Sequence, residues 1–181
     1  MYGLVNNAIE SMIRAERGDA AWLAVRTKAG VDVEDFITMH PYNDELTYAL
    51  VGAASEHLGT PTATLLEAFG RYWVEYTAQD GYGELFKLYG SSLSEFIKRL
   101  DEMNSRVALS FPDLRPPSFR SERVEDGEIR IHYHSERAGL APFVLGLLCA
   151  LSEHFETPAD VELVESRDQG HDHEVFSVVI R

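Results

Sequence analysis

The stretch Asp126-Gly127-Glu128-Ile129-Arg130-Ile131-His132-Tyr133-His134-Ser135-Glu136-Arg137 decides the fold class. Asp-Gly is a strong short-range hairpin signal, because both residues accept the positive φ that a tight turn between antiparallel strands needs. It separates two runs, Ser118 to Val124 and Glu128 to Ser135, that read as strands. Just upstream lie Pro116 and Pro117, which cannot continue a helix. The expectation is an α+β fold: a helical N-terminal part followed by an antiparallel sheet with packed helices. The second strand also carries chemistry. Side chains alternate on extended backbone, so Tyr133, Ser135 and Arg137 are expected on one face and His132 and His134 on the other. Two hydroxyls and a planar charged fork are donors of the kind that grip carboxylates.

Working outward, Tyr2, Val5, Ile9, Met12 and Ile13 recur at helical spacing. A second helix is expected from Ala20 to Ala29, stopped by Gly30, and Asn43 is placed to cap a third that runs through His57 to Gly59. Thr60-Pro61 suits the start of a fourth, which carries Leu66, Phe69 and Trp73 on one side. Ser92 and Glu95 have capping-box spacing and open a further helix. Beyond the hairpin, an apolar helix is expected from Ala141 to Phe155, then strands near Val161 to Arg167 and Glu174 to Arg181. No repeat or long linker divides the chain. The expectation is one domain, helical over about 1–60 with a C-terminal part over about 61–181.

With 181 residues, the chain is long enough to remove roughly 70% of its unfolded surface from water and to enclose a cofactor. Its 16 basic and 30 acidic side chains give a formal charge of −14, a field that repels phosphate backbones and anionic lipid. Nucleic acid and membrane are therefore not expected as partners. The N-terminus does not read as a secretion signal, and the apolar stretch from Ala141 to Leu151 falls short of the about 20 residues that span a bilayer. A lone cysteine, Cys149, cannot form an intrachain disulfide and reads as core filling. These features point to the cytoplasm. No nucleophile with an ordered base and no paired catalytic carboxylates emerge, so an enzyme is not expected.

Y-x-S-x-R is the propionate-binding signature of the heme-nitric oxide/oxygen binding (H-NOX) family, and the chain resembles that family along its length. Met1-Tyr2-Gly3-Leu4-Val5-Asn6 looks like the start of bacterial members and of the sensor domain of soluble guanylate cyclase. Similar matches follow at Val51-Gly52-Ala53-Ala54-Ser55, Phe69-Gly70-Arg71-Tyr72-Trp73, Gly81-Tyr82-Gly83, Leu114-Arg115-Pro116-Pro117-Ser118-Phe119 and Gly139-Leu140. The resemblance implies a heme cofactor enclosed between the two parts of the chain, with Tyr133, Ser135 and Arg137 on its propionates. It also implies that Trp73 and Phe143 line the gas side of the pocket and that Pro117, or its neighbour Pro116, presses on the porphyrin. Members that hold oxygen place a tyrosine where this chain has Phe143. An apolar distal side gives bound oxygen no hydrogen bond and favours nitric oxide or carbon monoxide.

One residue departs from the family. Its members carry a histidine, the protein's iron ligand, on the helix before the Arg-Pro-Pro block, and this chain has Asn104 there. An amide is a poor iron ligand beside imidazole, since its nitrogen lone pair is delocalised and its oxygen is a weak neutral donor. Asn104 follows Phe96, Ile97 and Leu100 at helical spacing and so faces or borders an apolar stripe. Spacing leaves two readings: an amide bonded locally at the edge of the core, or one lining a pocket. None of the seven histidines is a persuasive substitute. His171 and His173 share a face near a loop but lack a third ligand, and His40, His57 and His154 have no partner at ligand spacing.

In the family, gas binding weakens the proximal bond, the porphyrin flattens and the two parts rotate. No output domain is expected after Arg181, so the resemblance implies a separate effector, a histidine kinase or a cyclic-nucleotide enzyme. With Asn104 in place that switch does not operate in its usual form. The expectation is a heme-based nitric oxide sensor module with an altered proximal side. The rival is an interaction module of the same fold that is heme-independent or takes another carboxylated tetrapyrrole.

Overall fold

The computed structural model describes the chain except residues 79–82, 111–112 and 125–126, and of residues 83, 85 and 110 it describes only the backbone. Asp126 of the hairpin turn and Gly81-Tyr82 lie outside the described residues. Met1–Phe69 and Gly70–Arg181 form two compact units.

The first unit contains α1 (Gly3–Arg17), α2 (Asp19–Lys28) and α3 (Asp44–Leu58). The stripe read from the sequence is the buried one: Ile9, Met12 and Ile13 of α1 pack in a core with Trp22 and Val25 of α2 and Leu50 of α3. Each such side chain contributes about 1.5–3 kcal/mol when removed from water. Asn43 caps α3 as its position predicts, its side-chain oxygen accepting from the Glu45 N–H at 3.1 Å. Gly59 ends α3 in the left-handed conformation, φ 64°. Gly3 explains part of the opening motif: a Cβ there would meet the Ile37 carbonyl oxygen at 2.2 Å.

A fourth helix, α4 (Thr62–Thr77), runs across the boundary between the units. The second unit continues with α5 (Gly83–Tyr89), α6 (Leu93–Ser110), β1 (Ser118–Arg123), β2 (Glu128–His134), α7 (Ala141–His154), β3 (Ala159–Glu165) and β4 (Glu174–Ile180). The strands form one antiparallel sheet in the order β1-β2-β4-β3. Alternation places Ile129, Ile131 and Tyr133 on one face, buried with Phe176 and Val178, Leu148 and Leu151 of α7, and Phe96, Ile97 and Leu100 of α6. The helical half, the sheet and the packed helices agree with the α+β expectation.

Three local differences matter. The short α5 was not expected from the sequence. β3 covers Ala159–Glu165 instead of reaching Arg167, because a bulge between Leu163 and Glu165 shifts its register and Arg167 opens a 3-10 turn. β2 stops at His134, one residue before the expected end. Among the described residues no helix is long and apolar enough to cross a membrane.

Candidate functional site

Tyr133, Ser135 and Arg137 lie at the end of β2 and in the bend that follows it. Tyr133 is 2% exposed, its ring held between Phe119 and Phe176 at 5.1 and 6.4 Å. Its hydroxyl is hydrogen-bonded to Ser135. Burial pushes the phenol up and the Ser135 bond only partly opposes this, so the hydroxyl keeps its proton at neutral pH. The strand ends at His134, and in the bend beyond it the Arg137 N–H donates to Ser135 Oγ at 3.1 Å.

Arg137 Nη1 donates to the Arg115 carbonyl at 2.9 Å, and Arg115 Nη1 pairs with Glu136 at 3.2 Å. These bonds fasten the Arg115-Pro116-Pro117 segment to the bend. Pro117 is half-buried immediately before β1, where the Phe119 N–H donates to Asp101 Oδ1 of α6 at 2.9 Å. An open cavity of about 350 Å³ is lined by Arg115, Pro116, Ser118, His134 and Ser135, and by Arg167.

Arg167 was missed in the sequence, where it reads as the end of a strand. Its guanidinium donates to Glu174 Oε1 at 2.8 Å and to the carbonyls of Ser135 and Arg137, both at 3.0 Å. A sequence signal existed only indirectly: Glu174 is a carboxylate at the start of a buried strand and requires a cation.

Trp73 and Phe143 meet, ring centroids 6.3 Å apart at 68°. Gly70 makes this possible, since a Cβ there would lie 2.0 Å from the Phe143 carbonyl oxygen and 2.8 Å from Leu147 N. That close approach of α4 to α7 accounts for the glycine in the Phe69-to-Trp73 motif.

Asn104 is half-buried on α6, one turn after the buried Leu100 and beside Met103, which packs against the core. His132 and His134 lie on the sheet face opposite Tyr133, as predicted. There His132 Nδ1 is 2.8 Å from His173 Nε2, and the His134 ring stacks on His173 at 4.1 Å. Stacked rings cannot both direct in-plane lone pairs at one ion, and no group of three or more metal-ligating residues is found among the described residues.

The donor chemistry of Tyr133, Ser135 and Arg137 fits a ligand bearing carboxylates. Position 104 does not supply an imidazole.

A family model described as Haem-NO-binding matches residues 2–163. A soluble guanylate cyclase of Caenorhabditis elegans is 29% identical over 171 residues, covering 94% of this chain and 18% of the cyclase. Guanylate cyclase soluble subunit beta-2 of Rattus norvegicus is 33% identical over 121 residues, 64% of this chain and 18% of that subunit. The match thus spans about a fifth of these relatives' length. Two solved structures share the fold. An H-NOX protein from S. oneidensis in the Fe(II)NO ligation state superposes with a TM-score of 0.91 at 17% identity, covering 100% of this chain and 99% of that one. The Fe(II) unliganded H-NOX protein from K. algicida gives 0.85 at 19% identity, with coverage of 100% and 97%.

Proposed function

Because the chain belongs to the Haem-NO-binding (H-NOX) family, we propose that it is a heme-based gas-sensing module whose carboxylate-binding end is intact and whose proximal side is altered by Asn104. The observation that carries this reading is the gathering of Tyr133, Ser135 and Arg137 at the end of β2, bonded to the segment before Pro116. The Arg137 guanidinium would take the propionate charge, with the Ser135 and Tyr133 hydroxyls as neutral donors beside it. Trp73 and Phe143 would form an apolar wall that gives a bound gas no hydrogen bond, which favours nitric oxide. Heme, when bound, supplies the iron that takes the gas. Asn104 offers a weak neutral donor where the family has an imidazole.

The working partners in this reading are a diatomic gas and a separate effector, a histidine kinase or a cyclic-nucleotide enzyme, in the cytoplasm. The chain acts as a sensor and not as a catalyst. Similarity to part of a guanylate cyclase supports the link to cyclic-nucleotide signalling. An absorption spectrum of purified protein before and after adding heme tests the proposal. A Soret band that survives gel filtration supports it, and free heme alone refutes it.

Asn104 itself favours a second reading, a module that takes a different tetrapyrrole. Retention of metal-free porphyrin as tight as that of heme would favour it, because iron would then add nothing to binding.

A further inference from the structure

A guanidinium presents its N–H groups in a fixed planar fork, so three acceptors satisfied by one Arg are held in a fixed relation to each other. Arg167 does this at the candidate site. Nε donates to Glu174 Oε1 at 2.8 Å, Nη1 to the Ser135 carbonyl at 3.0 Å and Nη2 to the Arg137 carbonyl at 3.0 Å. The two carbonyls belong to Ser135 and Arg137, in the bend that follows the end of β2 at His134. Glu174 is a firm seat: its side chain is 6% exposed, and it stands opposite Tyr133 in the antiparallel register. Its other oxygen, Oε2, is buried without a hydrogen-bond partner. A buried carboxylate held by one bond depends on its cation, which ties Glu174 to Arg167 as firmly as Arg167 to Glu174.

We propose that Arg167, seated on Glu174, is a positioning residue for carboxylate binding: it fixes the Ser135–Arg137 bend so that the Arg137 guanidinium and the Ser135 hydroxyl meet the ligand's carboxylates. This rests on the reading that Tyr133, Ser135 and Arg137 take the propionates of a tetrapyrrole. Arg167 touches no ligand in this scheme. It acts through the backbone of the residues that do.

Protoporphyrin IX is the probe, because it carries both propionates and no iron, which removes position 104 from the measurement. Binding is followed by quenching of tryptophan fluorescence in the full chain, for the parent, Arg137→Ala, Arg167→Lys and the double variant. Lysine keeps the charge beside Glu174 but cannot span two carbonyls and a carboxylate at once. The expected result is about tenfold weaker binding for Arg137→Ala and for Arg167→Lys, with the double variant no weaker than Arg137→Ala alone, since both changes disable one unit. The dimethyl ester of protoporphyrin should bind all four proteins alike.

Multiplying effects in the double variant would mean that Arg167 serves general stability, and would overturn the proposal while leaving the clamp intact. Parent-like binding by Arg167→Lys with weakened binding by Arg137→Ala would do the same. Parent-like binding by Arg137→Ala, or no porphyrin binding by the parent, would remove the clamp itself and the positioning role with it.

Discussion

The end of β2 and the middle of α6 belong to one compact unit, and they differ in how much else depends on each side chain. At the end of β2, bonds from Arg137 and Arg167 join residues 22, 30 and 32 positions apart in sequence. Removing one donor there unsettles the chain path. On α6 the core is served by Leu100, Ile97 and Phe96, while half-buried Asn104 borders them. Position 104 can therefore change chemistry with little consequence for the fold. A family fold that tolerates a change at position 104 is the outcome this asymmetry permits.

Gly70→Val should destabilise the protein by about 3 kcal/mol, because the added carbons would collide with the backbone of Phe143 and Leu147. Thermal melting reads this directly. A melting temperature equal to the parent's would show that α4 and α7 are not in the contact described.

Next in size is the contrast within the clamp. Arg137→Ala should weaken tetrapyrrole retention more than Ser135→Ala, by on the order of 1 kcal/mol or more, because a charged fork outweighs a neutral hydroxyl. Competition with apomyoglobin measures it, and equal retention by the two variants would contradict the assignment. Phe143→Tyr has a kinetic effect only: it introduces a donor into an apolar wall and should slow oxygen dissociation from the ferrous protein several-fold. Unchanged oxygen kinetics with iron ligation intact would remove Phe143 from the gas side.

The smallest effect concerns the sheet face away from the core. Glu128 accepts from Arg130 Nε at 3.0 Å and from Ser177 Oγ at 2.9 Å, and these bonds hold its carboxyl below the usual range. A lowered folded value means that the contribution is present above the ordinary carboxylate range and is lost as pH falls through that folded value. Glu128→Gln should therefore melt slightly below the parent at pH 7 and together with it in strong acid. A gap that persists in acid would assign the effect to packing.

What was legible in the sequence was local. The Asn43 cap, the Gly59 terminus and the alternation of β2 each depend on a few neighbouring residues, and each is found where it was read. The bend at Ser135 was not legible, because it is imposed by the Ser135 hydroxyl and by Arg167 from 30 and 32 residues away. Arg167 itself was hidden by the bulge in β3, which moves the end of that strand to Glu165. The motif glycines were visible as matches, but the contact that requires Gly70 needs α4 and α7 together. Asn104 was conspicuous only against a family pattern, since helical spacing alone permits an ordinary surface amide there.

The central claim is that a built carboxylate clamp is paired with a missing axial ligand, and Asn104→His tests it most directly. The account predicts a five-coordinate, imidazole-ligated ferrous heme spectrum for Asn104→His, with a melting temperature close to the parent's, because only the chemistry of position 104 has changed. The parent should lack that spectrum, and added imidazole should partly restore it. A parent that already shows histidine-ligated heme, or an Asn104→His protein whose iron spectrum equals the parent's, would contradict the account.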